Sequence, residues 1–476
     1  MTSFKPSLPT KPETFTITTP GVSPEAALLS AQLLNRNNKE FHCFFNDRKF
    51  HNHLIHHLLA AYSLGASKEK IQEIFDDHAK DQRPIPPSVG KITRDNYKEY
   101  LGKAESYTSF LHLFDSEIEN YGAVDTVRRW VWSGDMLART VGGAYHPLIH
   151  IGYGLEFDIH GIIAEGLAMA ACTESNFSSM VPDLPGLQYN SLLPTQAQVY
   201  AENVTSTARG VVSSFVEQLS EQISSKLGMS DKVVSPSMNT DSTSIPSFLK
   251  ENTLFPIFKQ VRKDPAFEGV FKANDSTKFK LLFGNKAAVE RIKHYVNQWV
   301  INDNTKDIQN KFEELHMFTA IAVGSTGIRK DHEGVLKLDF FLMHALTSSE
   351  FLHQYISRVA PSEAVSLLHA HLAVTMVYYI STGRPDFNID GLLAYKSPNH
   401  NTASNNAWLC VFDRALTCKE PHVIKVVRSC AVAQVMYGPH QDTNLNRVWL
   451  QVAEMALDKN GDWDFSGVGY DDSWTS

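Results

Sequence analysis

The chain has 476 residues, a formal net charge of −8, 43% hydrophobic residues and 20% charged residues. That balance excludes a disordered chain and supplies apolar surface for a large core. An acidic total with no stripe of Lys and Arg argues against a nucleic-acid partner. Five scattered cysteines, Cys43, Cys172, Cys410, Cys418 and Cys430, form no CxxC pair and read as reduced thiols of an intracellular, cytoplasmic protein. The N-terminus has no apolar signal region, so the N-x-S/T triplets at Asn176, Asn203 and Asn274 are incidental. The apolar runs at 161–164 and 167–171 are too short to span a bilayer.

A Pro/Thr-rich arm occupies 1–22. Ser23-Pro24-Glu25 then opens a helix, with serine as N-cap, proline at the first helical position and an acid in the first turn. Helical periodicity predicts further helices over 46–64, 67–79, 94–101, 105–120, 123–141 and 147–172, after the first at 24–36. Residues 174–200, with Pro182, Pro185 and Pro194, read as a loop-rich insertion, and a helix follows at 206–227. The Ser/Thr/Pro-rich stretch 229–247 reads as a mobile surface loop. Later helices are predicted over 285–302, 305–322, 334–358, 361–381, 405–418, 421–437 and 443–457. With no βαβ alternation and no internal repeat, the expected fold is all-α, one large helical domain over 23–476 with a central pocket.

The common nucleotide motifs are missing. Gly152-Tyr153-Gly154-Leu155-Glu156-Phe157 is the nearest approach to a dinucleotide-binding turn, but it lacks the third glycine and lies within a helical pattern. There is no P-loop, no GxSxG elbow and no HExxH.

Twenty histidines are nearly double a usual content of about two per hundred residues. On the helix expected at 46–64, His53 and His57 are one turn apart, the spacing that presents two imidazoles to one metal ion; a polar helix edge has the same spacing. Pro147 marks a helix start that places His146 at the cap and His150 one turn inside. Gly154, Gly161 and Ala164 share the face of His150, which suits a cavity, with Glu165 near enough to be a ligand or an outer partner. The plainer alternative is a capping His146 and a packed His150. Lys337 and His344 are seven apart on one face. An apolar setting requires the lysine to be paired, neutral or modified, and a neutral amine can become a carbamate ligand; a snorkelling lysine is the plainer reading. His422 follows Pro421 in a first turn, with Lys425 and Ser429 on its general face. Convergence of several helices is how bundles build metal sites. Three to five nitrogen or oxygen ligands with an open position suit iron(II).

The segments NHLIHHLLAAYSLGAS (52–67), YHPLIHIGYGLEF (145–157), KLDFFLMHALTSS (337–349) and HVIKVVRS (422–429) resemble the questin oxidase-like family of fungal oxidoreductases. The resemblance implies an enzyme of polyketide secondary metabolism that uses O2 to open an anthraquinone ring to a benzophenone. It also implies an association with Baeyer–Villiger-type oxidation and NADPH. By position it assigns the site to His53, His57, His146, His150, His344, His422 and Lys337, and one sequence does not select the ligands among them. The expectation is a non-heme Fe(II) oxygenase with His57, His146, His150, His344, His422 and a Lys337 carbamate as metal ligands. His53 and Lys337 are the catalytic candidates; Phe157, Phe340 and Phe341 are candidates for an aromatic substrate pocket, with core packing the favoured role. An NADPH-dependent Baeyer–Villiger oxidase and a non-catalytic helical binding protein are the alternatives.

Overall fold

Helix starts follow the local signals. In the computed structural model, Ser23 caps α1 (Pro24–Glu40) by accepting from the Ala26 N–H at 3.1 Å, as its position before a proline dictates. The structure describes residues 17, 19–181, 184–185, 252–275, 278–400, 405–438 and 443–475. The helix expected at 206–227 and the loop expected at 229–247 lie outside them. The described elements all fall in one compact unit, Met1–Gly186 with Ser247–Ser476.

The first half holds α2 (Leu54–Ser63), α3 (Lys68–Ala79), α4 (Tyr107–Tyr121), α5 (Ala123–Val131), α6 (Met136–Thr140), α7 (His146–Glu156) and α8 (His160–Cys172). The second holds α9 (Leu254–Lys263), α10 (Lys278–Gly284), α11 (Lys286–Asn297), α12 (Thr305–Thr326), α13 (Phe340–Ser349), α14 (Leu352–Ile356), α15 (Pro361–Ser381), α16 (Ile389–Ala394), α17 (Ala407–Thr417), α18 (Pro421–Tyr437) and α19 (Thr443–Lys459). Strand is confined to two-residue ladders among the described residues. Ser133–Gly134 pairs antiparallel with Leu184–Pro185, and Leu338–Asp339 pairs parallel with Trp463–Asp464. The chain is all-α, as expected.

Differences from the predicted elements lie where periodicity runs through a break. The stretch 46–64 becomes helix only at Leu54, because 41–51 is tied into isolated bridges, Phe41 to Pro84 and Phe44 to His51. The pattern over 147–172 divides at Phe157, and Asp158 takes a positive φ of 53°. α7 and α8 then fold against one another. A Cβ on Gly154 would lie 2.6 Å from Ile163 Cγ1, and one on Gly166 would lie 2.6 Å from Ile151 Cγ1. Gly154 therefore serves a close helix contact and leaves no cavity beside His150, contrary to the sequence-based expectation. The helix expected over 334–358 begins at Phe340 and breaks at Glu350. α9, α10 and α16 fall where no helix was predicted.

The longest apolar helix, α15, has a mean hydropathy of 1.4, enough with its 21 residues to cross a membrane by length and composition. The apolar runs singled out in the sequence did not include it. Of its most apolar stretch, 83% is buried inside the fold, so its composition serves the core.

A buried ion cluster ties the halves together. Arg428 of α18 is 0% exposed and donates to Glu156 of α7 at 2.6 Å, to Glu350 and to Ser63 Oγ of α2 at 2.9 Å. Its guanidinium also lies against the rings of Tyr153, Phe157 and Phe351. Phe157, a pocket candidate in the sequence, is thus 1% exposed core beside this cation. Sheltered so, Arg428 fixes how α2, α7 and α18 meet.

Candidate metal centre

Four helices, α2, α7, α13 and α18, contact one another pairwise: α2 with α7 and α18, α13 with α7 and α18. Each brings one histidine to a common point, from the first turn or cap of α2, α7 and α18 and from the middle of α13. One nitrogen from each of His53, His146, His344 and His422 lies within 4.8 Å of all the others. Two nitrogens bound to one ion through bonds of about 2.1 Å are roughly 3.0 Å apart when adjacent and roughly 4.2 Å apart when opposite. The Nε2 atoms of His53 and His146 are 2.8 Å apart. A movement of a few tenths of an ångström would bring the set around one cation.

Each side chain is held by its local structure. His53 is the N-cap residue of α2, and Asn52 Oδ1 accepts from the Leu54 N–H at 2.9 Å while its amide donates to Asn37 at 2.9 Å. His146 starts α7 after Gly143, Ala144 and Tyr145, which all take positive φ values, 53°, 52° and 61°. Two consecutive non-glycine residues in the left-handed region cost about 1–3 kcal/mol each. The Tyr145 hydroxyl, bonded to His371 O at 3.0 Å and 2.9 Å from Thr375 Oγ1, anchors that turn. The turn lets His146 Nδ1 donate to Gly143 O at 2.6 Å. His344 Nδ1 donates to Phe340 O one turn earlier, at 2.8 Å. His422 Nδ1 bonds the Glu420 carboxylate.

The pattern is therefore common to three of the four rings. Nδ1 is taken by a carbonyl or carboxylate, and Nε2 is left to face its neighbours. The Nε2 atoms of His344 and His422 are buried with no hydrogen-bond partner, an expensive state for a polar atom unless something binds it. This is the arrangement by which an outer acceptor fixes the tautomer of a metal-ligating imidazole. Burial, above all, holds the pKa of His53, His146 and His344 well below the ordinary value, with the other imidazoles and Lys425 adding to it. Neutral rings keep their lone pairs, as a metal requires.

Glu420 is the outer residue that the sequence reading passed over. Burial by itself would raise its carboxyl, but His422 and the Trp463 indole hold it at about 2. It accepts from Trp463 Nε1 at 2.9 Å and caps α18 through the His422 N–H at 3.0 Å. A Cβ on Gly461 would lie 2.6 Å from Glu420 Cγ, so the glycine makes room for it. The signal was present: an acid directly before a helix-starting proline is a cap.

The remaining sequence candidates take other places. His57 turns away from His53 and pairs with His78, Nδ1 to Nε2 at 3.0 Å. His53 occupies the cap and not the helix interior, so the expected shared face does not form. His150 faces a second chain: its Nδ1 is 3.2 Å from His56 Nε2, and its Nε2 is 2.9 Å from Glu165, which accepts from Asn38 at 2.7 Å. Lys337 is also absent from the cluster. Its Nζ pairs with Asp464 at 3.3 Å, donates to Ser473 O and lies over the Trp474 ring, contacts that hold it as a paired lysine away from the imidazoles. The environment the sequence reading asked of Lys337 is found at Lys425, 1% exposed, with Nζ buried and unpartnered one turn beyond His422. Desolvation pushes Lys425 down to about 7.

A cleft of about 890 Å³ opens onto His53, His146 and His422. Phe340, Phe341, Trp463 and Phe465 form an aromatic wall, and Asp77, His78, Asp81 and Gln82 of the α3 region a polar one. Phe340 and Phe341 are thus cleft residues, where the sequence reading favoured core packing.

Comparison with known proteins places the chain in a family. The Questin oxidase-like family matches residues 50–430. The chain is 26% identical to Baeyer-Villiger oxidase ptaJ of Pestalotiopsis fici, over 95% of this chain and 91% of the relative. It is 25% identical to the Questin oxidase of Aspergillus fumigatus, over 95% and 94%. A further relative is Baeyer-Villiger oxidase mdpL of Emericella nidulans, at 25% over 90% and 87%.

Proposed function

The chain belongs to the questin oxidase-like family of oxidoreductases acting with O2, and from that premise we propose that it is a non-heme iron(II) oxygenase that opens the ring of a hydroxyanthraquinone to give a benzophenone. The observation that carries the reading is the convergence of four neutral imidazoles, two of them with unpartnered buried Nε2 atoms. His53, His146, His344 and His422 would hold the metal. Iron(II) bound there supplies a redox centre for dioxygen.

The protein's own contribution is positional. Gly143 O, Phe340 O and Glu420 lock three of the rings. The aromatic wall excludes water from one face of a planar substrate. Four imidazoles carry no charge, and Lys425 offers a source of it. Its amine can form an N–C bond to carbon dioxide and release a proton, and the resulting carbamate would bring an anionic oxygen to the metal.

Elemental analysis tests this reading. About one iron per chain, lost in His344→Ala and in His422→Ala but retained in Lys337→Ala, supports it. No iron after growth in iron-supplemented medium overturns it. The names of ptaJ and mdpL favour a second reading, a Baeyer–Villiger-type oxidase, which we pair with NADPH as its reductant. Turnover that requires NADPH and persists in metal-free protein selects it.

A further inference from the structure

The His57–His78 pair stands beside the cleft and takes no part in the metal cluster. His78, on α3, lines the cleft and is partly exposed, whereas His57, on α2, is 2% exposed behind it. The 3.0 Å bond between their rings fixes the orientation of His78. Burial holds His78 at about 4 and His57 at about 3, so both are neutral near pH 7. A neutral imidazole held in this way leaves its second ring nitrogen, donor or acceptor according to the tautomer, for whatever occupies the cleft.

The aromatic part of the lining has a different chemistry. Phe465 is 55% exposed and stacks on Phe340, with ring centres 4.2 Å apart. Phe50, also in the lining, is 50% exposed and meets Phe45 edge-on at 6.1 Å. Large rings left open to water at a cleft mouth indicate an apolar ligand face. A cleft lined by both open aromatic rings and polar side chains suits a planar fused ring with oxygen substituents along one edge.

We propose that His78, positioned by His57, is a specificity residue: it hydrogen-bonds a hydroxyl or keto oxygen on the edge of a planar polycyclic substrate whose face lies against Phe465, and so sets which ring faces the four imidazoles. The proposal rests on the substrate class given above. His78 is a binding residue, and His57 acts through it.

The test is anaerobic calorimetric titration of the metal-loaded enzyme with two probes, danthron, which carries two ring hydroxyls, and unsubstituted anthraquinone. Wild type binds danthron more tightly. His78→Phe lowers danthron affinity about tenfold, the worth of one well-placed hydrogen bond, and leaves anthraquinone within twofold. Phe465→Ala weakens both probes alike. His57→Leu follows His78→Phe, and His57→Gln, which can still bond His78, restores part of the preference. Unchanged discrimination in His78→Phe, or equal losses for both probes, overturns the proposal. A different result marks failure of the oxygenase reading: the preference for danthron is intact, but no hydroxyanthraquinone turns over.

Discussion

Replacing Arg428 with Met removes a cation that bonds both Glu156 and Glu350, all three residues being at most 1% exposed. The methionine fills much of the volume and keeps contact with Tyr153, Phe157 and Phe351, so little of the loss arises from packing. Stranding buried charge by removing one partner costs about 3–5 kcal/mol. At about 2.1 cal/mol/K per residue, unfolding of 476 residues has an entropy near 1 kcal/mol/K. The expected fall in Tm is therefore about 3–5 °C. In the variant, two desolvated carboxylates repel each other and bind protons more readily folded than unfolded. The folded state then holds the extra protons, so the variant's deficit grows as pH rises above about 4.3. Thermal unfolding at pH 5 and pH 8, followed by circular dichroism, measures both effects. Adding Glu156→Gln and Glu350→Gln should recover most of the loss. A deficit below about 1 kcal/mol that is the same at both pH values would refute the reasoning.

Three further outcomes are expected. Glu420→Gln keeps the shape of the outer ligand but loses its charge, and should weaken metal binding about 10–100-fold in a chelator competition. Burial raises the Asp339 carboxyl to about 7, although the Leu342 and Phe341 N–H groups and Lys278 oppose it. Folded Asp339 thus keeps a proton that the unfolded chain releases near pH 4, and stability falls as pH climbs from about 4 to 7. Asp339→Asn, which can still cap α13, should flatten that slope in denaturant titrations, and an unaltered slope would count against it. Gly154→Val must push α7 from α8, because even its Cβ would stand 2.8 Å from Ile163 N. It should cost about 1–3 kcal/mol by urea unfolding, and a neutral result would show the contact to be slack.

Helix starts were readable from the chain because they depend on neighbouring residues. Ser23-Pro24, Pro361 and Pro421 each mark a start that the structure reproduces. Apolar periodicity likewise located most of the helices and the all-α class. It failed where a turn of a few residues interrupts a continuous pattern, as at Asp158 and at Glu350.

The choice among histidines had a different origin. His53 and His57 are four residues apart, yet one meets His146 and the other meets His78, because His53 sits at a helix cap and α3 packs beside α2. Lys337 and Lys425 both occupy apolar stretches. Asp464 and Ser473, more than a hundred residues from Lys337, make it an ion pair, while no partner reaches Lys425 Nζ. Periodicity along one helix states which residues share a face, and says nothing of what that face meets. The sequence by itself determined the helical class, the main helix starts and the richness in imidazole. The tertiary structure decided which four imidazoles meet, which lysine is left unpaired and where Arg428 finds its two carboxylates, since those pairings join segments that only packing brings together.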